Sequence, residues 1–300
     1  MLSHEFFSKL EQLQREYFSI ESSTEYRIGT KFKNLANAIR KHQLREYLQK
    51  ECIYRKNKKY SVPLTYSEFE YGEYPKKETK IAVYSCITGG YDNIIEPFFS
   101  IDGVDYIMFT DNKKISTDKW QIIPIPEDIA KLKNNLLINR YIKMHPNIVG
   151  TQYDYSLYID GNICVVSNIR NMINAINPKT GFALHGHISR DCIYDEIQVC
   201  KNMKKGNIEK LIEQANRYQT AGFPRHYGLL EATVILTDLH NPIALELQNK
   251  WWHEFLNSES RRDQIALPYI LWQNKIPITY MNGLGCPVQR NPKFRKYQHK

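Results

Sequence analysis

Two pairs of an acid and an amide carry most of the chemical promise of this chain. In "YDYSLYIDGNICVV" (residues 153–166) an apolar, strand-like run is interrupted by Asp160, Gly161 and Asn162. A strand does not bury a carboxylate without a partner, either a counter-charge or a metal ion. On an extended chain residues 160 and 162 project to the same side. Two oxygen ligands so placed suit Mg²⁺ or Mn²⁺ that also holds a diphosphate. Gly161 lets the backbone turn or a ligand approach closely; a plain strand-end Asp-Gly-Asn turn is the other reading of the same residues. The second pair, Asp263 and Gln264 in "RRDQ", opens an apolar helical run. Asp263 there either caps the helix, where the dipole favours an anion, or faces a reacting group. Glu231, in "GLLEATVIL", is a strand carboxylate and a candidate base, given a hydroxyl within hydrogen-bond reach. Arg140 and Lys143 stand three apart on one helix face. They are either ordinary exposed cations or the neutralising partners of a diphosphate.

The elements that must position these residues follow from hydrophobic periodicity. "KIAVYSCI", "VDYIMFTD", "WQIIPIP" and "YSLYIDGNICVV" read as strands, and "NNLLINRYIKMHP" as a helix stopped by Pro146. This alternation predicts an α/β domain with a mostly parallel sheet. Ligands of such sheets bind beyond the carboxyl ends of the strands, where Thr88, Asp92, Asp111 and Asp160 all fall. Further on, "TGFALHGH" and "ATVILTDL" read as strands. "CIYDEIQVCKNM", "IEKLIEQANRYQT", "IALELQNKWWHEFLN" and "RDQIALPYILWQ" read as helices, the last despite Pro268. Residues 1–75 form a helical, basic N-terminal extension, with "YGEYPKKETK" as a linker. Residues 76–285 form the α/β domain and 286–300 a basic tail whose composition reads as a charged, disordered end.

With 300 residues and a net charge of +9, the chain can bury a full core and favours anionic partners. Its basic stretch "KFKNLANAIRKHQLREYLQKECIYRKNKK" reads as a solvated helix face, and next as a membrane-surface or partner-binding helix. A nucleic-acid arm ranks last, because the aromatics there fall at core-like spacing instead of forming a stacking row. Nothing approaches the roughly 18 apolar residues of a bilayer span, and "MLSHEFFSKLEQLQREYF" does not read as a signal peptide. Six scattered cysteines without a CxxC fit a reduced, cytoplasmic setting. His185, His187, Cys192 and Cys200 are spaced irregularly for a zinc site. No G-x-x-x-x-G-K-[ST] is present, which excludes a P-loop kinase reading.

From about Lys80 onward the chain resembles the glycosyltransferase-like family of bacterial and plant proteins, of TOD1/MUCI70 type, once catalogued as a domain of unknown function. The resemblance rests on "YSCITGGYDNIIEP", "DYIMFTDN", "NRYIKMHP", "YDYSLYIDGNI", "HISRDCIYDE", "GFPRHYGLLEATVIL", "WWHEF" and "RRDQIALPYIL", in this order over about 200 residues. The N-terminal helices lie outside it. The resemblance implies a GT-A, Rossmann-like nucleotide-sugar-binding fold and a D-x-D-type metal motif, here Asp160-Gly161-Asn162 with Asn in place of the second acid. It implies transfer of a sugar from a nucleotide diphosphate sugar, with Mn²⁺ or Mg²⁺ as cofactor. Thr88, Gly89, Tyr91, Asp92 and Asp111 are then expected to hold the nucleoside, Tyr91 by stacking on the base. Asp263, Gln264 and Glu231 are expected at the reacting sugar or the acceptor hydroxyl, and "HGHISRD" on the acceptor side, with Arg190 paired to Glu196. The same likeness makes His299 a third metal ligand, and Arg295 and Lys296 diphosphate contacts. The expected acceptor is a glycan or lipid-linked glycan of a capsule, lipopolysaccharide or other surface polysaccharide. The basic N-terminus is expected at the inner face of a membrane, with no nucleic acid as partner. The composition, rich in lysine, asparagine and isoleucine, points to a bacterial source. A metal-dependent hydrolase on the same scaffold, or a non-catalytic nucleotide-sugar-binding module, are the alternatives.

Overall fold

The computed structural model describes residues 3–62, 70–112, 114–285 and 287–300; Cys286, and with it the expected boundary of the tail, lies outside them. Three helices come first: α1 (His4–Ser22), α2 (Thr24–Arg40) and α3 (Leu44–Lys58). Ser3 and Ser23 cap α1 and α2, each accepting from a backbone N–H three residues on. The strands β1 (Ile81–Ile87), β2 (Val104–Thr110) and β3 (Trp120–Pro124) follow, then the helices α4 (Glu127–Ala130) and α5 (Asn135–Met144). Next come β4 (Tyr155–Ile159), β5 (Ile163–Val165), β6 (Phe182–Gly186), α6 (Ile193–Met203) and α7 (Ile208–Thr220). The last elements are β7 (Leu230–Asp238), α8 (Pro242–Ser258), α9 (Asp263–Gln273) and β8 (Phe294–Lys296).

Six strands form one sheet in the order β3-β2-β1-β4-β7-β6, and within it β7 runs antiparallel to both its neighbours. The fold is thus mixed α/β with a mostly parallel, Rossmann-like sheet. Strand β1 is buried along its whole length, and its side chains alternate between two cores. Ala82, Tyr84 and Cys86 enter the core formed with α5, α8 and α9, around Ile142, Trp251 and Leu267. Ile81, Val83 and Ile87 enter the opposite one, with Val165, Met172, Val288 and Phe294. A third cluster joins α6, α7 and α9 through Ile197, Leu211 and Tyr269. Pro268 stays within α9, and Pro146 begins a 3-10 turn directly after α5.

Two expectations are corrected here. The tail is ordered: β8 pairs antiparallel with β5, so that Cys164 faces Arg295. Apolar Phe294 is what anchors it, fully buried in the second core. The segment read as a linker is also seated in the body. Tyr71 is buried, its hydroxyl donating to Leu284 O at 3.0 Å and accepting from Asn291 Nδ2 at 2.7 Å.

Helix α1 belongs to the body as well. Phe7 is buried against Phe99, with ring centroids 5.5 Å apart. Glu11 accepts from Ser167 Oγ and from Lys293 Nζ, both at 2.6 Å. Lys293 is wholly buried and also donates to Asn168 O at 2.7 Å. Burial pushes its ammonium pKa down, and Glu11 opposes that. Removing one partner of a buried pair leaves an uncompensated charge, at a cost of about 3–5 kcal/mol. Glu11→Ala is therefore expected to lower stability by about that amount in urea unfolding. A loss below about 1 kcal/mol, the scale of an exposed pair, would show that the contact contributes little.

Candidate functional site

The parallel strands β1, β2 and β4 all point their carboxyl ends to one edge of the sheet. Successive strands β1, β2 and β3 build outward in one direction, and β4 returns to the other flank of β1. The strand order therefore reverses between β1 and β4. Crevices at such reversals are where open α/β sheets receive ligands. Every site residue expected from the sequence lies on the segments around this edge.

Asp160 follows the last residue of β4. The residues 160–162 do not continue the strand: they form a turn between β4 and β5, closed by Ile163 N–H donating to Asp160 O at 2.9 Å. The extended geometry expected to align residues 160 and 162 is thus corrected, because the chain turns between β4 and β5. A Cβ on Gly161 would stand 2.9 Å from Ile87 Cγ1, so the turn presses directly on the end of β1. The same position lies 3.6 Å from Asp92 Oδ2, which places the Asp92 carboxylate against the turn. Asp160 accepts from Tyr158 Oη at 3.1 Å and stands 3.8 Å from Lys143 Nζ. Asn162 is buried, with its amide nitrogen donating to Tyr297 O at 2.9 Å and its backbone oxygen accepting from Tyr297 N–H at 2.8 Å. The amide oxygen is therefore the end of Asn162 that can coordinate.

Beneath Asp160 lies a buried charge network. Asp263 Oδ2 is 2.7 Å from Lys143 Nζ and 3.0 Å from Arg140 Nε. Burial alone would raise the Asp263 pKa, but Arg140 and Lys143 hold it well below the usual carboxylate range. Burial likewise opposes the charge on Arg140, and Asp263 and Asp160 more than restore it, so its pKa is raised. A carboxylate held this firmly ionised accepts a proton poorly. Asp263 is not itself the cap residue of α9: Arg262 occupies that position without a side-chain cap bond, and Asp263 stands in the first turn, where the dipole still favours an anion. Trp251 Nε1 donates to Asp263 O at 2.8 Å, pinning the start of α9 to α8.

Glu231, near the start of β7, accepts from Thr233 Oγ1 at 3.0 Å and lies 3.4 Å from both Gln289 Nε2 and Lys296 Nζ. These contacts use one carboxylate oxygen, while Oε2 is buried without a hydrogen-bond partner. Gln264 is engaged at both ends of its amide, donating to Leu230 O at 2.7 Å and accepting from Arg262 at 3.2 Å. It fastens the strand that carries Glu231.

On the β1 side, Gly89 N–H donates to Asp111 Oδ2 at 2.9 Å, and Thr88 Oγ1 donates to Asn135 O at 3.3 Å. Gly89 has φ +63°, a left-handed conformation that favours glycine, and a Cβ there would push against the Asn135 side-chain amide. Tyr91 is 67 % exposed and lies edge-on to His299, with centroids 5.3 Å apart. His299 Nδ1 is 2.8 Å from Asp92 Oδ2. The third metal ligand expected from the sequence is thus brought to the site but paired with Asp92. Among the described residues, the one group of three His, Cys, Asp or Glu ligand atoms within 4.8 Å of one another is Cys192, Asp195 and His226. That grouping also leaves out the His185, His187 and Cys200 weighed for zinc. Arg190 does pair with Glu196, at 2.5 Å. Arg295 Cζ lies over the Phe98 ring, 5.5 Å from its centroid.

The donor set at the turn is oxygen-rich and hard: the Asp160 and Asp92 carboxylates and the Asn162 amide. It fits a Mg²⁺ or Mn²⁺ ion that takes one or two protein ligands and completes its shell from substrate phosphates and water. Sequence reasoning passed over Tyr158, Asn139 and Tyr297. Tyr158 was detectable, since it lies two residues before Asp160 and so on the same side of β4. Asn139, whose Nδ2 donates to Cys86 O at 2.8 Å, and Tyr297 reach the site from distant segments and leave no local signal.

The profile of the TOD1/MUCI70 glycosyltransferase-like domain matches residues 17–283. The match begins within α1 and takes in α2 and α3, so the helices expected to lie outside the family resemblance fall inside it. No curated protein matches the chain.

Proposed function

The chain belongs to the TOD1/MUCI70 family of glycosyltransferase-like domains, and on that footing we propose that it transfers a sugar from a nucleotide diphosphate sugar to a glycan or lipid-linked glycan acceptor. The observation that carries this reading is the crowding of one carboxylate turn, Asp160 to Asn162, and one supported cation pair, Arg140 and Lys143, at the strand-order reversal. A donor diphosphate needs both an anchor for a divalent ion and fixed positive charge for the leaving group.

Each residue then has a physical task. Tyr91, exposed beside the first strand end, offers a face for the base to stack on. Gly89 and Asp111 shape the loop that receives the nucleoside. Lys143 and Arg140 face negative charge that grows as the glycosidic bond breaks, and Asp263 holds them there before substrate arrives. Glu231 keeps a buried, unmatched oxygen ready for an acceptor hydroxyl and is the candidate base. Asp160 and Asn162 would hold Mn²⁺ or Mg²⁺, which would supply Lewis-acid stabilisation of the leaving diphosphate. His299, which is paired with Asp92, would be the further ligand.

The test is a panel of sugar nucleotides, read by thermal stabilisation and by nucleotide release with and without Mn²⁺. A bound donor at about 100 times its Kd should stabilise the fold by about 2.7 kcal/mol. Stabilisation by one donor, with Mn²⁺-dependent release quickened by a glycan acceptor, supports the proposal. Release that is indifferent to acceptor assigns a hydrolase instead. Stabilisation without any turnover assigns a binding module, and no stabilisation by any sugar nucleotide overturns the reading.

A further inference from the structure

The charge of this protein is gathered in one place. Residues 24–59, which hold α2 and α3, contain eleven Lys and Arg against three Glu, and so account for eight of the chain's nine net positive charges. These helices also break the usual rule for apolar side chains. Ile28, Phe32 and Ile39 follow one another at helical spacing along α2, as do Leu44, Leu48 and Cys52 along α3. All six are exposed, Phe32 by 69 % and Leu48 by 55 %. Neither helix uses its stripe to build the core: α2 buries Ala38, and α3 buries no residue fully. The end of α3 is nonetheless tied to the body, where Asn202 Nδ2 donates to Asn57 Oδ1 at 2.8 Å and Val62 N–H to Ser189 O at 2.9 Å.

We propose that α2 and α3 dock this protein on an anionic lipid bilayer. A second copy of the chain would cover the apolar stripes only by bringing two strongly basic surfaces together. A nucleic acid would neutralise the lysines but leave the aliphatic side chains in water. An anionic bilayer satisfies both demands at once, because the stripe enters the acyl boundary while flanking Lys and Arg meet headgroup charge. Among the described residues no helix is long and apolar enough to cross a membrane, so the attachment is peripheral. This inference does not depend on the catalytic reading.

The experiment is co-sedimentation of the full chain with vesicles of pure phosphatidylcholine and of phosphatidylcholine with 30 mol % phosphatidylglycerol (a composition of about the anionic content that polybasic segments respond to). Binding to the anionic vesicles alone is expected, weakened at least tenfold by Phe32→Ser with Leu48→Ser. Lys31→Glu with Lys33→Glu should weaken it by at least as much. Circular dichroism and a thermal melt verify that the variants keep the fold. Failure to sediment with anionic vesicles overturns the proposal. So does wild-type binding by the serine variant. Self-association in sedimentation velocity that the serine variant abolishes, with vesicle binding absent, assigns the face to a second copy instead.

Discussion

Asp160→Ala is expected to lower kcat/KM of sugar-nucleotide turnover about a thousandfold, equivalent to about 4 kcal/mol of transition-state stabilisation, while leaving the protein folded. Among the described residues the carboxylate has two polar partners, Tyr158 Oη at 3.1 Å and Lys143 Nζ at 3.8 Å. Its side chain is 30 % exposed, and Lys143 keeps its shorter ion pair to Asp263 at 2.7 Å. Loss of Asp160 therefore removes little from the folded state. On the proposed reading, what it removes is the carboxylate of the Asp-Gly-Asn turn, and with it the proposed anchor for a divalent ion at the leaving diphosphate. Steady-state kinetics over a Mn²⁺ titration, with a thermal melt alongside, is the measurement. Activity within tenfold of the parent at saturating Mn²⁺ would show that the cation is held elsewhere.

Asp263→Ala is expected to act on folding and on the site together. The carboxylate is buried, and Arg140 and Lys143 converge on a single oxygen of it. Truncation leaves two cations without that partner in a dry region, at a cost of about 3–5 kcal/mol. The pH dependence follows from the direction of the shift. The folded-state pKa of Asp263 lies below its unfolded value. Its contribution is therefore complete above the ordinary carboxylate range, about pH 4, and is lost as pH falls through the folded value. The parent should lose stability in strong acid more steeply than Asp263→Asn, which has no charge there to lose. Urea unfolding between about pH 2 and 7 measures this, and parallel pH profiles for the two proteins would refute it. Donor affinity should fall as well, since Arg140 and Lys143 would no longer be held beside Asp160.

Most of the sheet was legible because each strand carries its own apolar run, and α5 and α9 carry theirs. The ends of β1, β2 and β4 were legible as a candidate site because Thr88, Asp111 and Asp160 end such apolar runs. What stayed hidden depends on pairing between distant segments. Strand β5 and strand β8 are three residues each and separated by about 130 positions, too short and too remote for any periodicity to connect. The tail looked solvated because it is rich in lysine and arginine, yet one buried phenylalanine and one buried lysine decide its placement. Lys293 itself is satisfied by a glutamate 282 positions earlier. The partners of Asp263 were hidden for the same reason. An acid opening a helix has a sufficient local explanation, and the cations that claim it lie about 120 positions upstream.

The pairing of β5 with β8 gives the molecule an order of assembly. The six-stranded sheet draws only on residues up to Asp238, but Tyr297 is what clasps Asn162 on both its backbone and its amide. During synthesis the scaffold can therefore condense while the pocket is still unfinished. A chain cut before Phe294 would keep all six strands of this sheet yet lose both the buried Phe294 anchor and the Tyr297 clasp on Asn162, so the turn after β4 is finished only by residues that follow the whole scaffold.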